Sequence, residues 1–540
     1  MSQSYLNRFW QGLAIFAAIV ACARIGATWG VFTETYDEAI QLACGMEWLD
    51  AGRYTFEEQH PPLARVAIAL GPWLADGRSH GKDDSIKEGQ AILYTHGDSG
   101  YFRMLSLARA GNLLFVLLAC LGVWLLARCY VGPEQAAWAV VAFTLLPPIL
   151  GHGGLATTDM ALTATVLLAA AAWRNAVLFP SAKTAAVAGV VTGVAIVSKF
   201  SAVVFLPIIL VALAVGWRAK WTKRHARLAL VTAACCFFTM WTAYRFDAAP
   251  LHPKGTPELV MANRLVGERG ALHDVAYSIL DAPLPLYKVV RGFAGLYVHA
   301  GQGHDAYLFG EFRRFGWWYF YPVVLAVKTP LVFLLLVLCG AAWLAWERRW
   351  RDLTPVLAAA LLLILCLPSR IDTGVRYLLP VYGLTAVIAG YAVAKLRQRS
   401  TVGAALVLLG WAVAGAAAHP DYLADFNMLA GSRPEEVLTD SDLDWGQDLH
   451  RATAALQAHG ATEASLAYHG VFDFARERRV RYRPLPPSQP AKGWIAISLR
   501  TLYGERARKA AGLTAQDYEW LRAYPYQRVG RSMMLFYAGD

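Results

Sequence analysis

The chain has 540 residues, 56% of them hydrophobic and 16% charged, with a mean hydropathy of +0.37. Soluble domains carry roughly 25% charge, so a soluble enzyme is excluded, as are disorder, collagen and coiled coil. Fifty basic against 39 acidic residues leave a net charge of +11, yet the stretch from His419 onward holds 15 of each, so the excess lies in the hydrophobic part, where it marks cytoplasmic loops and anionic headgroups; no nucleic-acid partner is expected.

In chain order, apolar stretches long enough to span a bilayer begin near Ala14, Leu105, Ala136, Ala161, Ala185, Ala202, Leu228, Trp318, Pro355, Val375 and Ala404. They predict a polytopic α-helical membrane protein of about eleven spans, within a range of about 10–13. The 19 Trp and 24 Tyr suit aromatic belts at the two interfaces. The first stretch follows Arg8 and lacks a small-residue cleavage site before Glu34, which reads as a retained span rather than a signal peptide. With the N-terminus cytoplasmic, alternate loops carry Arg128; Arg174 and Lys183; Arg218, Lys220, Lys223, Arg224 and Arg227; Arg348, Arg349 and Arg351; and Lys395, Arg397 and Arg399. All the basic clusters then lie inside, and the C-terminus lies outside. The eight cysteines end at Cys366 and show neither a disulfide framework nor a CxxC metal pattern.

This orientation places three segments on the outer face: 34 to about 101, 245 to about 315, and the tail 419–540. Residues 1–418 read as a membrane module. The tail reads as an extracytoplasmic α/β domain, with β-like runs at Ala464–Tyr468, Trp494–Leu499 and Ser532–Tyr537 and a helix-like run at Gly446–His459. Loops far longer than a connection requires are where function concentrates.

The first outer loop opens with Glu34-Thr35-Tyr36-Asp37-Glu38 directly after a span. A carboxylate at a partly desolvated interface suits a general base, and equally a helix-initiating acid. Glu57-Glu58-Gln59-His60-Pro61-Pro62-Leu63 follows, with acid and imidazole before a proline pair that fixes the backbone. Asp159 ends Gly151-His152-Gly153-Gly154-Leu155-Ala156-Thr157-Thr158-Asp159 at the outer end of the fourth span; it reads as an N-cap or as part of an ion site. Lys199 and Arg376 sit at outer span ends, where charge is costly unless paired or used. They either snorkel to headgroups or clamp a phosphate.

Taken in order, these motifs, together with Lys199-Phe200-Ser201-Ala202, Gly316-Trp317-Trp318-Tyr319, Lys328-Thr329-Pro330, Arg376-Tyr377-Leu378-Leu379-Pro380, Tyr422-Leu423-Ala424-Asp425-Phe426-Asn427 and Asp440-Ser441-Asp442-Leu443-Asp444-Trp445-Gly446-Gln447-Asp448-Leu449, give a chain that resembles the polyprenyl-phosphate-dependent membrane glycosyltransferases of the C-type superfamily. The resemblance is to the bacterial branch related to dolichyl-phosphate-mannose protein mannosyltransferases and the lipid A aminoarabinose transferase. It implies a helical membrane module with two helical outer loops, an exported C-terminal domain, and an active-site cavity at the outer leaflet of a bacterial inner membrane.

The resemblance further implies a hexosyl or pentosyl transfer from a polyprenyl-phosphate carrier such as undecaprenyl phosphate to a lipid, glycan or protein hydroxyl, by a single inverting displacement. Asp37 matches the catalytic base. Glu38 would orient the loop or share a proton, with Glu58 and Asp159 as further acidic support. Lys199 and Arg376 would hold the donor phosphate, with Arg245, Arg264, Arg269 and Arg291 as unranked alternatives. His60 and Tyr377 would belong to the substrate-binding loops. No cofactor or metal is required; a divalent cation between Asp37 and Asp159 is compatible, though no spacing demands one.

Two departures stand out. Relatives often carry an acid directly before the HPP segment, where this chain has Gln59, and often Asn where it has Asp442. The resulting row Asp440, Asp442, Asp444 lacks the Gly and distal Glu of a calcium loop, so it reads as an interface between tail and membrane module with Trp445 as apolar anchor. The competing class, a lipid or glycan flippase without transferase chemistry, would place ionisable groups at mid-membrane on broken helices, whereas here they crowd one surface.

Overall fold

The computed structural model describes residues 3–217, 222–251, 263–267, 269–486 and 488–539. Arg218 and Lys220 of the third basic cluster lie outside the described residues. The chain starts with a long apolar helix, α1 (Gln3–Gly26), followed by three shorter helices, α2 (Tyr36–Ala51), α3 (Pro62–Leu74) and α4 (Ser85–Leu93). A continuous helix α5 (Tyr101–Tyr130), a broken pair α6 (Pro133–Thr144) and α7 (Pro147–Gly153), and then α8 (Asp159–Leu178), α9 (Ala182–Ser198), α10 (Ala202–Ala214) and α11 (Lys223–Ala243) complete the first part of the bundle. Helices Phe320–Lys328, Leu331–Trp346, Thr354–Cys366, Leu379–Arg399 and Thr401–Ala417 form the second part.

Each of the eleven apolar stretches is helical, but they differ in length. Among the described residues five helical segments, Ser4–Gly26, Asp98–Tyr130, Asp159–Leu178, Lys223–Ala243 and Val375–Arg399, are long and apolar enough to cross a membrane, and two bent pairs raise the number to seven if each is one span. The bends, 68° between α6 and α7 and 106° between Phe320–Lys328 and Leu331–Trp346, fall at Pro147 and Pro330, where a missing N–H and the ring interrupt the hydrogen-bond ladder. The stretches near Ala185, Ala202, Pro355 and Ala404 form helices of only 17, 13, 13 and 17 residues. At 1.5 Å per residue each is shorter than the roughly 30 Å hydrocarbon core, so the expected count of eleven is not reached by this measure.

Helix Leu379–Arg399 runs through the middle of the bundle with nearly every residue up to Ala394 buried. A Cβ at Gly390 would collide with the backbone of α6 at Ala139, so the two helices cross at a distance only glycine permits. In the outer layer Gly45 does the same: a Cβ there would strike the Arg65 carbonyl, which brings α2 against α3.

The tail forms a five-stranded sheet, ordered β6-β5-β7-β9-β8 once the short hairpin strands β1 (Ala248–Ala249), β2 (Leu284–Pro285), β3 (Ala306–Leu308) and β4 (Glu311–Arg313) are numbered first. β5 (Glu463–Ala467) pairs in parallel with β6 (Arg481–Pro484) and β7 (Gly493–Ser498), while β9 (Met533–Ala538) runs antiparallel to β7 and β8 (Tyr526–Val529). Alternation along the strands divides the apolar side chains between two faces. Ile495, Ile497, Met534 and Phe536 pack in one core with Leu499, Leu502 and Tyr503 of helix Leu499–Ala510, whereas Ala496, Leu535 and Leu466 pack with Leu449, Ala452 and Leu456 of helix Leu449–Ala458.

The tail grips the membrane module through backbone. Thr33 N–H donates to Gln447 O at 3.1 Å and Tyr36 N–H to Trp445 O at 3.0 Å. Val375 N–H donates to Asp442 Oδ1 at 2.9 Å, and Lys328 Nζ donates to the carbonyls of Leu423 and Asp442 at 2.8 and 2.7 Å. The segments held this way, 33–36 and 373–376, flank the charged residues described next.

Candidate active site

Four charged side chains meet at one end of the bundle because each lies at a helix terminus. Thr35 caps α2 in a capping box with Glu38, which leaves Asp37 in the first turn, where the exposed N–H groups favour an acid. Asp159 opens α8 and Lys199 follows the last turn of α9. Arg376 rides on the 3₁₀ turn Val375–Leu378 that leads into the central helix. Arg376 Nη1 lies 2.7 Å from Asp37 Oδ2, and Lys199 Nζ lies 2.5 Å from Asp159 Oδ1. Lys199 also sits 5.0 Å from the ring centre of Tyr377, and the Arg376 guanidinium 4.8 Å from that of Trp445.

Asp37, Asp159, Lys199, Arg376, Tyr377 and His60 line one cleft, of about 120 Å³. Within it the two ion pairs differ in access. The Asp37 and Arg376 side chains are 26% and 17% exposed, those of Asp159 and Lys199 2% and 7%. The outer pair is therefore the one an incoming molecule reaches, and the inner pair is a buried support. Lys199 and Arg376 do not snorkel; each cation is neutralised by a carboxylate, so a divalent ion bridging Asp37 and Asp159 would first have to displace both.

Glu38 points elsewhere. Its carboxylate is 1% exposed, receives two bonds from Arg109 at 2.8 Å each, and accepts the amides of Thr35 and Ala156 at 2.8 and 2.7 Å. Burial works to raise this carboxyl, but the Arg109 charge and these bonds outweigh it and leave it below its ordinary range. Proton sharing with Asp37 is thus replaced by a structural role: Glu38 ties α2 to α5 and to the loop before α8. Glu58 is not a cleft residue either; it pairs with Arg291 at 2.9 Å. The acid that works with His60 is Glu57, whose Oε2 lies 3.1 Å from His60 Nδ1 and which also binds Arg65. Burial opposes ionisation of Glu57, yet Arg65 and His60 hold its carboxyl well below the usual range.

The arginines of the second outer segment lie away from the cleft: Arg245 stacks 4.0 Å from the Trp48 ring centre, Arg264 5.6 Å from that of Tyr297, and Arg291 on Glu58. Arg269 is likewise not among the residues that line the cleft. The acids of the tail row are each taken by a partner within the protein: Asp440 meets Arg500 at 3.3 Å, Asp442 accepts Val375 N–H, and Asp444 accepts Arg500 N–H at 2.7 Å. Among the described residues no group of three or more His, Cys, Asp or Glu side chains is placed to hold a metal ion.

Arg65 and Arg109 were missed by sequence reasoning, although both are fully buried and hold the outer helices together. Arg109 had a legible signal, a lone charge inside the apolar run Leu105–Leu126. Gln41, His299 and His304 also line the cleft, and nothing in their local sequence marks them.

Residues 105–242, about a quarter of the chain, match the family described as dolichyl-phosphate-mannose-protein mannosyltransferase. Among solved structures the fold matches ArnT from Cupriavidus metallidurans bound to undecaprenyl phosphate, at 13% identity and a TM-score of 0.50, over 97% of this chain and 98% of that one. It also aligns with the archaeal oligosaccharyltransferase AglB from Archaeoglobus fulgidus, in complex with an inhibitory peptide and a dolichol-phosphate, at 14% identity and a TM-score of 0.48, over 77% of this chain. The protein spans 55% of the length of that archaeal enzyme. No curated protein matches by sequence. Residues 105–242 are thus similar to the mannosyltransferase family, and the fold is shared with ArnT over nearly the whole of both chains.

Proposed function

We propose that the protein is a glycosyltransferase that moves a hexosyl or pentosyl unit from a polyprenyl-phosphate carrier to a hydroxyl acceptor at the outer face of a bacterial inner membrane, with the N-terminus cytoplasmic and the 419–540 domain outside. The observation that carries the reading is the convergence of Asp37, Asp159, Lys199 and Arg376 in one cleft at one end of the bundle. In the resting cleft Arg376 occupies Asp37 and Lys199 occupies Asp159. A donor phosphate entering between the cations draws them toward its oxygens and frees Asp37 to accept a proton. The acceptor O–H then gives its proton to Asp37 while its oxygen bonds to the anomeric carbon. The bond from that carbon to the phosphate oxygen breaks, and its electron pair leaves with the polyprenyl phosphate, whose charge Arg376 and Lys199 offset. One displacement inverts the anomeric centre and needs no covalent nucleophile.

The test is transfer of label from polyprenyl-phosphate sugars to an envelope acceptor extract by purified protein in lipid. Asp37→Asn is expected to lower transfer by at least about 100-fold, the lower end of what a general base contributes. Equal transfer by both proteins would remove Asp37 from the mechanism. If folded wild-type protein consumed none of the lipid-linked sugars tested, the transferase reading itself would fall.

A further inference from the structure

A second cavity, of about 630 Å³, opens between the tail and the membrane module, a size that suits an organic ligand. Thr373 lines both, and His304 of the cleft precedes Asp305 of the cavity, so the two adjoin. Five carboxyl side chains, those of Asp305, Asp372, Asp440, Asp442 and Glu505, line the cavity, against the guanidiniums of Arg500 and Arg508. Both arginines are already committed: Arg500 to Asp440 and His469, Arg508 to Asp305. His469 adds no charge at neutral pH, because burial and Arg500 lower it to about 4. The cavity therefore carries an excess of negative charge.

Two polar groups point to a ligand. Asp372 is 4% exposed; its Oδ2 accepts Trp317 N–H at 2.9 Å, while its Oδ1 has no partner among the described residues. Thr373, 6% exposed, has a hydroxyl with no partner among the described residues, at the junction with the cleft. Buried polar groups of this kind are normally paired. A free carboxylate oxygen is an acceptor that wants a donor and repels an anion. Tyr307, Phe312 and Phe320 add apolar ring surface to the same walls.

We infer that this cavity is the acceptor site, that it takes an uncharged sugar hydroxyl compound and rejects a phosphorylated one, and that Asp372 and Thr373 set this preference. The inference rests on the proposed transferase reading and adds the chemical class of the acceptor to it. The probes are neutral methyl disaccharides and the same disaccharides bearing a 6-phosphate. Their binding to the full-length protein in lipid nanodiscs is measured by saturation-transfer NMR without donor, and their labelling is measured with a polyprenyl-phosphate sugar. Neutral probes are expected to bind and be labelled in preference to phosphorylated ones by at least about tenfold, a factor that corresponds to 1.4 kcal/mol. Asp372→Asn, which preserves shape and can still accept Trp317 N–H, should shrink that preference, and Thr373→Val should weaken the neutral probes. Equal or better use of the phosphorylated probes, or a preference unchanged in Asp372→Asn, would overturn the inference while label transfer left the transferase reading intact. Asp372-dependent binding of neutral sugars with no lipid-linked sugar consumed would instead overturn the transferase reading, and with it the acceptor role of the site.

Discussion

Asp37 and Glu38 are adjacent in sequence and opposite in fate. A helical step turns the first toward the cleft, where it stays partly exposed beside Arg376, and the second inward onto Arg109. Removing one member of a buried ion pair strands the other charge, so Glu38→Ala should cost about 3–5 kcal/mol of stability, read as a fall in thermal midpoint that Asp37→Asn does not share. The Asp159–Lys199 pair is equally buried. Asp159→Asn and Lys199→Gln should each destabilise, and the double variant should fall short of their sum by at least about 0.5 kcal/mol, as coupled neighbours do in a double-mutant cycle. Burial holds Glu34, which accepts the Tyr101 hydroxyl, and Asp444 of the tail up to about 7, above their ordinary 4.5 and 3.8. A carboxyl raised in the folded state contributes stability that is full below its ordinary value and lost as pH rises through about 7. Glu38, lowered, contributes above the ordinary range and loses that contribution in acid. The thermal midpoint should therefore fall between about pH 5 and pH 7, and Glu34→Gln should flatten that fall; an unchanged slope would show that the acid is not strained by burial.

At the scale of elements, the site exists because helices end where they do. The Thr35 box, the start of α8 after a glycine-rich turn, the extended residue after α9, and the 3₁₀ turn before the central helix each leave one charged side chain at the same end of the bundle. Proline breaks at 147 and 330 belong to the same end, since Lys328, one turn from the second break, anchors the tail. The approach of α2 to α3 sets where Asp37 and His60 lie relative to each other, and it depends on Gly45. Gly45→Ala should force the helices apart at a cost of about 1–3 kcal/mol, typical of overpacking. Thermal unfolding reads that cost, and a midpoint equal to wild type would show that the crossing relaxes freely.

For the whole molecule, the tail acts as a brace. Residues 440–448 touch the segment before α2, the turn that carries Arg376, and Lys328, so the tail holds both members of the Asp37–Arg376 pair in place. Trp445 lies under the Arg376 guanidinium. Trp445→Leu keeps an apolar anchor but removes the ring face, and it should weaken donor binding and raise the donor KM without changing the fold, measured by donor titration beside thermal unfolding. The proposed orientation predicts that a phosphatase reporter joined after Asp540 is active only if the tail is exported. A cytoplasmic reporter inserted at Arg349 should be active in the same cells, and the reverse pattern would invert the topology.

Composition and periodicity determined the class of molecule, the positions of the apolar helices and the mixed α/β character of the tail. Those properties follow from local rules: runs of high hydropathy set the apolar helices, and alternation sets strands at 463–467, 493–498 and 533–538. The short strands β6 and β8 escaped because each has only four residues, and Gln527-Arg528 interrupts the alternation of the second. Motif order also brought forward Asp37, His60, Asp159, Lys199, Arg376 and Tyr377, which share the cleft. Only the tertiary structure decided which charges pair: that Arg376 meets Asp37 across 339 residues, that Glu38 belongs to Arg109, that Glu57 rather than Glu58 serves His60, and that Asp372 is left with a free oxygen. Pairing depends on distances between segments far apart in the chain, and no local spacing encodes it.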